Sequence, residues 1–154
     1  MKYLGVFISE KLEDDIDIKR QVKCVYSKGN TLIRKFRACT NDVKTQLFQA
    51  FCTSMYCSPL WCHNKRSSFQ QLRVAYNNVF RYLLNVKDRC SISHLFLSHN
   101  VDCFNVLYRK LVFSLYKRIF GSNNILVSTI ASSMYFMYQS NLFKHWQNVL
   151  YNNV

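Results

Sequence analysis

Between Ile18 and Phe36 the apolar residues recur at a helical interval. Ile18, Val22, Val25, Tyr26, Gly29, Leu32, Ile33 and Phe36 advance by three or four residues at a time, with adjacent pairs at 25–26 and 32–33. Together they mark one side of a 3.6-residue period. Twenty residues of that pattern span about 30 Å, so a long amphipathic helix must find a partner along its whole length. Gly29 stands on the apolar stripe itself. A glycine there either lets a second backbone come close or breaks the helix in two. The other side carries Lys19, Arg20, Lys23, Lys28, Arg34, Lys35 and Arg37 without an acid among them.

Helical spacing continues downstream. Thr40, Asn41 and Asp42 are cap candidates for a second helix with the inward stripe Val43, Leu47, Ala50, Phe51 and Ser54, ending near Ser58-Pro59. Ser67-Ser68 open a third, with Phe69, Leu72, Tyr76, Val79, Phe80 and Leu83 inward and Arg66, Arg73, Asn77 and Arg81 outward. A short helix over Ser93 to Leu97 precedes a long one carrying Phe104, Leu107, Tyr108, Leu111, Val112, Leu115 and Ile119, with Gly121 as its stop. Two weaker helices, over 123–133 and 135–150, complete the pattern. Ahead of them all, Tyr3 to Ile8 reads as a short strand, apolar on both faces and without a partner strand downstream. Three glycines and one proline are too few for the turns of an all-β fold, and 49% apolar content excludes a disordered chain. The expected fold is mainly α: a bundle of about five to six helices preceded by one short N-terminal β-strand. Its expected organisation is a strand over 1–9, a basic bundle over 10–121 and a helical extension over 122–154.

Charge is distributed unevenly. Residues 1–17 hold Glu10, Glu13, Asp14, Asp15 and Asp17, five of the eight acids, whereas the remainder sets nineteen lysines and arginines against Asp42, Asp88 and Asp102. The net +13 therefore lies wholly downstream of residue 17. Such an excess favours a polyanionic partner, nucleic acid first, with anionic membrane or an acidic protein behind it. The uncharged run from Ile119 to Phe143 contains too many Ser, Thr, Asn and Gln residues to span a bilayer, so no membrane is expected.

Few residues offer chemistry. The acids from Glu13 to Asp17 suit the positive end of a starting helix; no other acids gather to complete a two-metal site. Cys90 with His94, His99 with Cys103, and the loose set Cys52, Cys57, Cys62 and His63 match no strong zinc template. No glycine-rich phosphate loop and no Ser–His–Asp set is present. Neither metal nor cofactor nor catalytic residue is expected. Seven evenly spread cysteines, an odd count behind no signal-peptide pattern, fit free thiols in a reducing compartment, cytoplasmic or nuclear. Ten tyrosines and twelve phenylalanines interleave with the cations. Phe36, Phe51, Phe69, Phe80, Phe104 and Leu111 are assigned to the core; the basic residues, unmixed in sign, are not explained as an ordinary solvated face.

The order of these segments carries a resemblance. KYLGV, the acidic cluster, IDIKRQVKCVYSKGNTLIRKF, DVKTQLFQAFCTSMYC, SPLW, QLRVAYNNVFRYLL and, after a further basic helix, SNNILVSTI run over roughly residues 2–133. Together they resemble the region downstream of the catalytic core in reverse transcriptases of non-long-terminal-repeat retrotransposons. The resemblance implies that Tyr3, Leu4 and Gly5 belong to a primer-grip strand and that the helices form a thumb and its C-terminal extension. It also implies a missing palm and fingers upstream, because the family's aromatic-Ala-Asp-Asp signature is absent here. Leu12-Glu13-Asp14-Asp15 is no substitute, so the expected protein is not an enzyme but a catalytically incomplete fragment. The implied partner is an RNA or DNA duplex gripped through its backbone without regard to sequence. Lys19, Arg20, Lys23, Arg34, Lys35, Arg37, Arg73 and Arg81 are the expected phosphate contacts. The alternatives are a basic helical module that docks on an acidic protein and a non-functional relic of a mobile element. Oligomeric state is not legible.

Overall fold

The computed structural model describes residues 2–3, 6–7, 10, 13–86 and 90–151. Among them are α1 (Asp15–Lys35), α2 (Asn41–Cys52), a 3-10 turn (Ser58–Leu60), α3 (Arg66–Leu83), α4 (Ile92–Ser98), α5 (Phe104–Phe120), α6 (Ile125–Ser132), α7 (Met134–Tyr138) and α8 (Asn141–Tyr151). The protein is mainly helical, with eight helices among the described residues rather than the five to six expected. Part of the excess arises where serine breaks the C-terminal pattern: the Ser133 hydroxyl accepts the Phe136 N–H at 3.2 Å and so starts a separate α7. The single strand expected over Tyr3–Ile8 is not shown. Lys2–Tyr3 instead pairs antiparallel with Val6–Phe7, Tyr3 opposite Val6, so the backbone finds its hydrogen-bond partner locally. Leu4, Gly5 and Ile8 lie outside the described residues. No helix among those described is long and apolar enough to cross a membrane.

The chain forms two compact units, one spanning Met1–Tyr56 with His63–Phe104, the other Cys57–Cys62 with Asn105–Val154. In the first, α1 and α3 lie side by side and run in the same direction. Asp15 meets Lys65 at the start of α3, and fourteen residues later Gly29 meets Val79. The helix is unbroken at Gly29 because the glycine serves close approach. A Cβ added there would stand 2.8 Å from Val79 Cγ2 and closer still to Cγ1. Val79 is buried and β-branched, so it has little rotamer freedom with which to yield.

After a short connection α2 returns antiparallel, Gln21 Nε2 donating to the Ser54 carbonyl at 3.3 Å just past its end. Phe48 packs its ring against Tyr76 (5.0 Å between centroids) and Phe80 (4.7 Å), while Phe96 of α4 stacks on Phe80 at 4.9 Å. Ile18, Val25, Leu32, Leu72, Val79 and Leu83 complete this core.

The expected face of α2 is corrected. Val43, Ala50 and Phe51 are exposed and Leu47 is half-buried, whereas Lys44, Thr45, Phe48 and Cys52 face inward. The rotation is about one residue, or 100°. Phe48 determines it, because only that phase seats its ring on both Tyr76 and Phe80. The core assignment of Phe80 and Phe104 holds; Phe36, Phe69 and Leu111 are half-buried. In the second unit Tyr116, Phe120, Phe136, Phe143 and Trp146 cluster, and the Trp146 indole donates to the Pro59 carbonyl at 2.7 Å.

Gly29→Ala gains about 1 kcal/mol of helix propensity, but overpacking against Val79 costs about 1–3 kcal/mol. The expected result is a net loss in urea unfolding that shrinks toward zero in a Val79→Ala background. Phe48→Ala is expected to cost about 3–5 kcal/mol, against about 0.5 kcal/mol or less for Phe51→Ala. Equal losses at 48 and 51 would contradict the observed phase of α2.

Candidate nucleic-acid interface

The acids at the start of α1 are occupied in tying it to α3. Asp14 Oδ2 accepts the His63 N–H at 2.7 Å, and the Asp14 N–H donates to the His63 carbonyl at 3.1 Å. Asp15 Oδ1 accepts the Lys65 N–H at 3.0 Å, which puts a carboxylate at the positive end of α3, where Lys65 offers no side-chain cap of its own. Burial raises the Asp15 carboxyl, but the Ser68 hydroxyl, the Lys65 amide and the nearby Lys65 and Lys19 charges outweigh it and hold it below the ordinary aspartate range. The Lys65 ammonium, 3.8 Å away and largely exposed, adds little. Asp17 is fully buried and accepts Arg20 Nε at 2.7 Å. The cluster is thus a clasp between two helix starts.

The cations divide by position. Lys19, Lys23 and Arg34 project from one exposed side of α1, with Ser27 and Asn30 between them, a row about 22 Å long at 1.5 Å per residue. Lys35 and Arg37, at the end of the helix and just beyond it, are also exposed. On α3 the polar side is Arg66, Gln70, Arg73, Asn77 and Arg81, with Arg73 exposed and Arg81 half-buried. Because α1 and α3 are parallel, both rows run in the same direction. Arg20 differs from the rest, since its guanidinium is half-buried and engaged with Asp17. Leu4 and Gly5 lie outside the described residues, and of Tyr3 only the backbone pairing is described.

Sequence reasoning missed Lys44. The α2 rotation that exposes Val43 turns Lys44 inward, where it is 9% exposed. It lines a cleft of about 530 Å³ with Ile33, Arg34 and Arg37 from the end of α1 and Tyr82, Leu83 and Asn85 from the end of α3. Asn85 has the left-handed backbone (φ 54°) that ends α3, with the Val86 N–H bonded to the Arg81 carbonyl at 3.1 Å. The i, i+4 spacing of Lys44, Phe48 and Cys52 was the one available signal for this face.

The cysteines and histidines offer less. All seven cysteines are unbridged. Burial pushes the Cys52 thiol up to about 11, which leaves it inert at neutral pH. Cys90, His94, His99 and Cys103 join no set of three potential metal ligands among the described residues, and neither do Cys52 and Cys57. His99 Nδ1 is 3.1 Å from the Leu95 carbonyl, with its ring edge-on to Phe80. His145 Nε2 is 2.9 Å from the Tyr108 hydroxyl, a packing contact within the second unit. Burial pushes the Tyr76 hydroxyl well up, and it donates to the Asp102 carbonyl at 2.9 Å.

What the geometry defines is a basic helical bundle with exposed cationic rows and one cation-lined cleft. Compared with protein-family models, with curated proteins and with solved structures, the chain matches none.

A carboxyl held below its unfolded value, about 3.9, stabilises the fold above that pH and loses its contribution as pH falls through the folded value. The urea midpoint of the native chain is therefore expected to fall more steeply between pH 5 and pH 2 than that of Asp15→Asn. Parallel pH profiles would remove Asp15 from the clasp.

Proposed function

We propose that the chain is the thumb-like part of a non-long-terminal-repeat reverse transcriptase, catalytically incomplete, that grips template–primer nucleic acid by its backbone. The observation that carries this reading is the pair of cationic rows on the parallel helices α1 and α3, with Lys19, Lys23, Lys35 and Arg73 exposed. Helix faces that serve only solubility mix charges of both signs, and the single acid between residues 18 and 81, Asp42, lies on neither helix. Ion pairs with phosphate oxygens fix orientation without reading sequence, which suits a protein that must pass along any duplex. The order of segments that resembles the thumb region supports the same reading, and the absent aromatic-Ala-Asp-Asp signature limits it to binding.

A second reading, docking on another protein, is favoured by the surface of α6 and α7. Ile125, Leu126, Ile130, Met134, Tyr135 and Tyr138 are all well exposed there, more apolar side chains together than a solvated helix pair usually presents.

Reversing Lys19, Lys23, Lys35 and Arg73 to Glu tests the first reading with residues outside the cleft. Retention of arbitrary RNA and DNA duplexes on a filter at low salt is expected to be lost. The log–log salt slope of any residual binding should be shallower by roughly 0.9 for each phosphate contact removed. Undiminished binding by the reversed variant would sink the assignment.

A further inference from the structure

The cleft at the converging ends of α1, α2 and α3 asks for a ligand of its own. Lys44 is in an unfavourable place for a lysine on three counts. It is nearly buried, it stands in the first turn of α2 near the positive helix end, and no carboxylate pairs with it among the described residues. Asp42, two residues earlier, is exposed and makes no ion pair among the described residues. Arg34 and Arg37 line the same cleft and, among the described residues, likewise have no carboxylate in an ion pair with them. The negative end of α1 accounts for Arg34, in its last turn, but not for Lys44. An anion held among the three cations offsets all of these costs together.

The size and lining of the cleft narrow the anion. About 530 Å³ falls within the range of small-ligand sites, about 300–1,000 Å³, and exceeds what a bare phosphate needs. Tyr82, 57% exposed, gives an aromatic face at its rim beside the apolar Leu83, suited to stacking a base. Three cations also exceed the single charge of a backbone diester and better match a phosphomonoester, which carries close to two negative charges at neutral pH.

We propose that this cleft is a subsite for the terminal phosphomonoester of a nucleic-acid strand, with the phosphate among Lys44, Arg34 and Arg37 and the terminal base against Tyr82. The proposal rests on the nucleic-acid reading above and adds to it a place where a strand end is recognised.

The test uses the full chain and short single strands of one sequence, carrying a 5′ phosphate, a 3′ phosphate or neither, read by fluorescence anisotropy at fixed salt. One phosphorylated strand is expected to bind more tightly than the unphosphorylated one, by on the order of tenfold. That ratio should fall to about one in Lys44→Met, which keeps the packed stem and removes the charge. It should also fall in Arg34→Ala/Arg37→Ala, whose exposed positions leave the fold intact by thermal melting. Salt-sensitive binding of all three strands with no preference overturns the cleft and leaves the backbone reading standing. A preference that survives in both variants also overturns the cleft. Tighter binding of a free nucleoside monophosphate than of either phosphorylated strand overturns the assignment to a strand end. No binding of any strand overturns the cleft together with the reading on which it rests.

Discussion

Helices α1 and α3 touch because Gly29 has no side chain. Two helices rich in lysine and arginine come this close only if apolar contact and a few fixed carboxylates outweigh the repulsion between them. The Gly29–Val79 approach supplies the first. At the other end, Asp14 and Asp15 supply the second by accepting the backbone N–H groups of His63 and Lys65. Contacts at both ends of the shared length fix the pair as parallel and in register. α2 then returns against both of them, and Phe48 seats on Tyr76 and Phe80. The direction of the cationic rows and the existence of the cleft both follow from that register.

The acidic cluster shows how one composition serves different ends. From the sequence alone these carboxylates read as the start of a helix, with no other acids to complete a metal site. In the folded chain each of Asp14, Asp15 and Asp17 accepts a hydrogen bond from a backbone amide or from Arg20. A local helix-start effect is present, since Asp15 and Asp17 lie in the first turn of α1. The larger part of their work is tertiary, because Asp15 also stands at the positive end of α3, fifty residues on.

The α2 helix shows the limit of pattern reading. Val43, Leu47, Ala50 and Phe51 make a more apolar stripe than Lys44, Thr45, Phe48 and Cys52, and periodicity alone selects the first. The folded chain adopts the second because one well-seated aromatic ring outweighs several small contacts. A lysine is drawn inward as a consequence. Of the expected phosphate contacts, most stand exposed on α1 or just beyond it, and Arg73 stands exposed on α3. Arg20 is held by Asp17, and Lys44 joins Arg34 and Arg37 in the cleft. Neither change is visible without knowing which face of a neighbouring helix each residue meets.

The sequence by itself determined the helical class, the inward faces of α1 and α3 and the excess of exposed cations, and it left Gly29 as either a point of close approach or a break. These are period, composition and steric arguments that depend on near neighbours along the chain. Only the tertiary structure decided the parallel register of α1 and α3, the rotation of α2, the use of the acids as a clasp and the cleft at the helix ends. Those depend on contacts between residues about ten to fifty positions apart, where small differences in packing energy select among several faces that the local pattern allows.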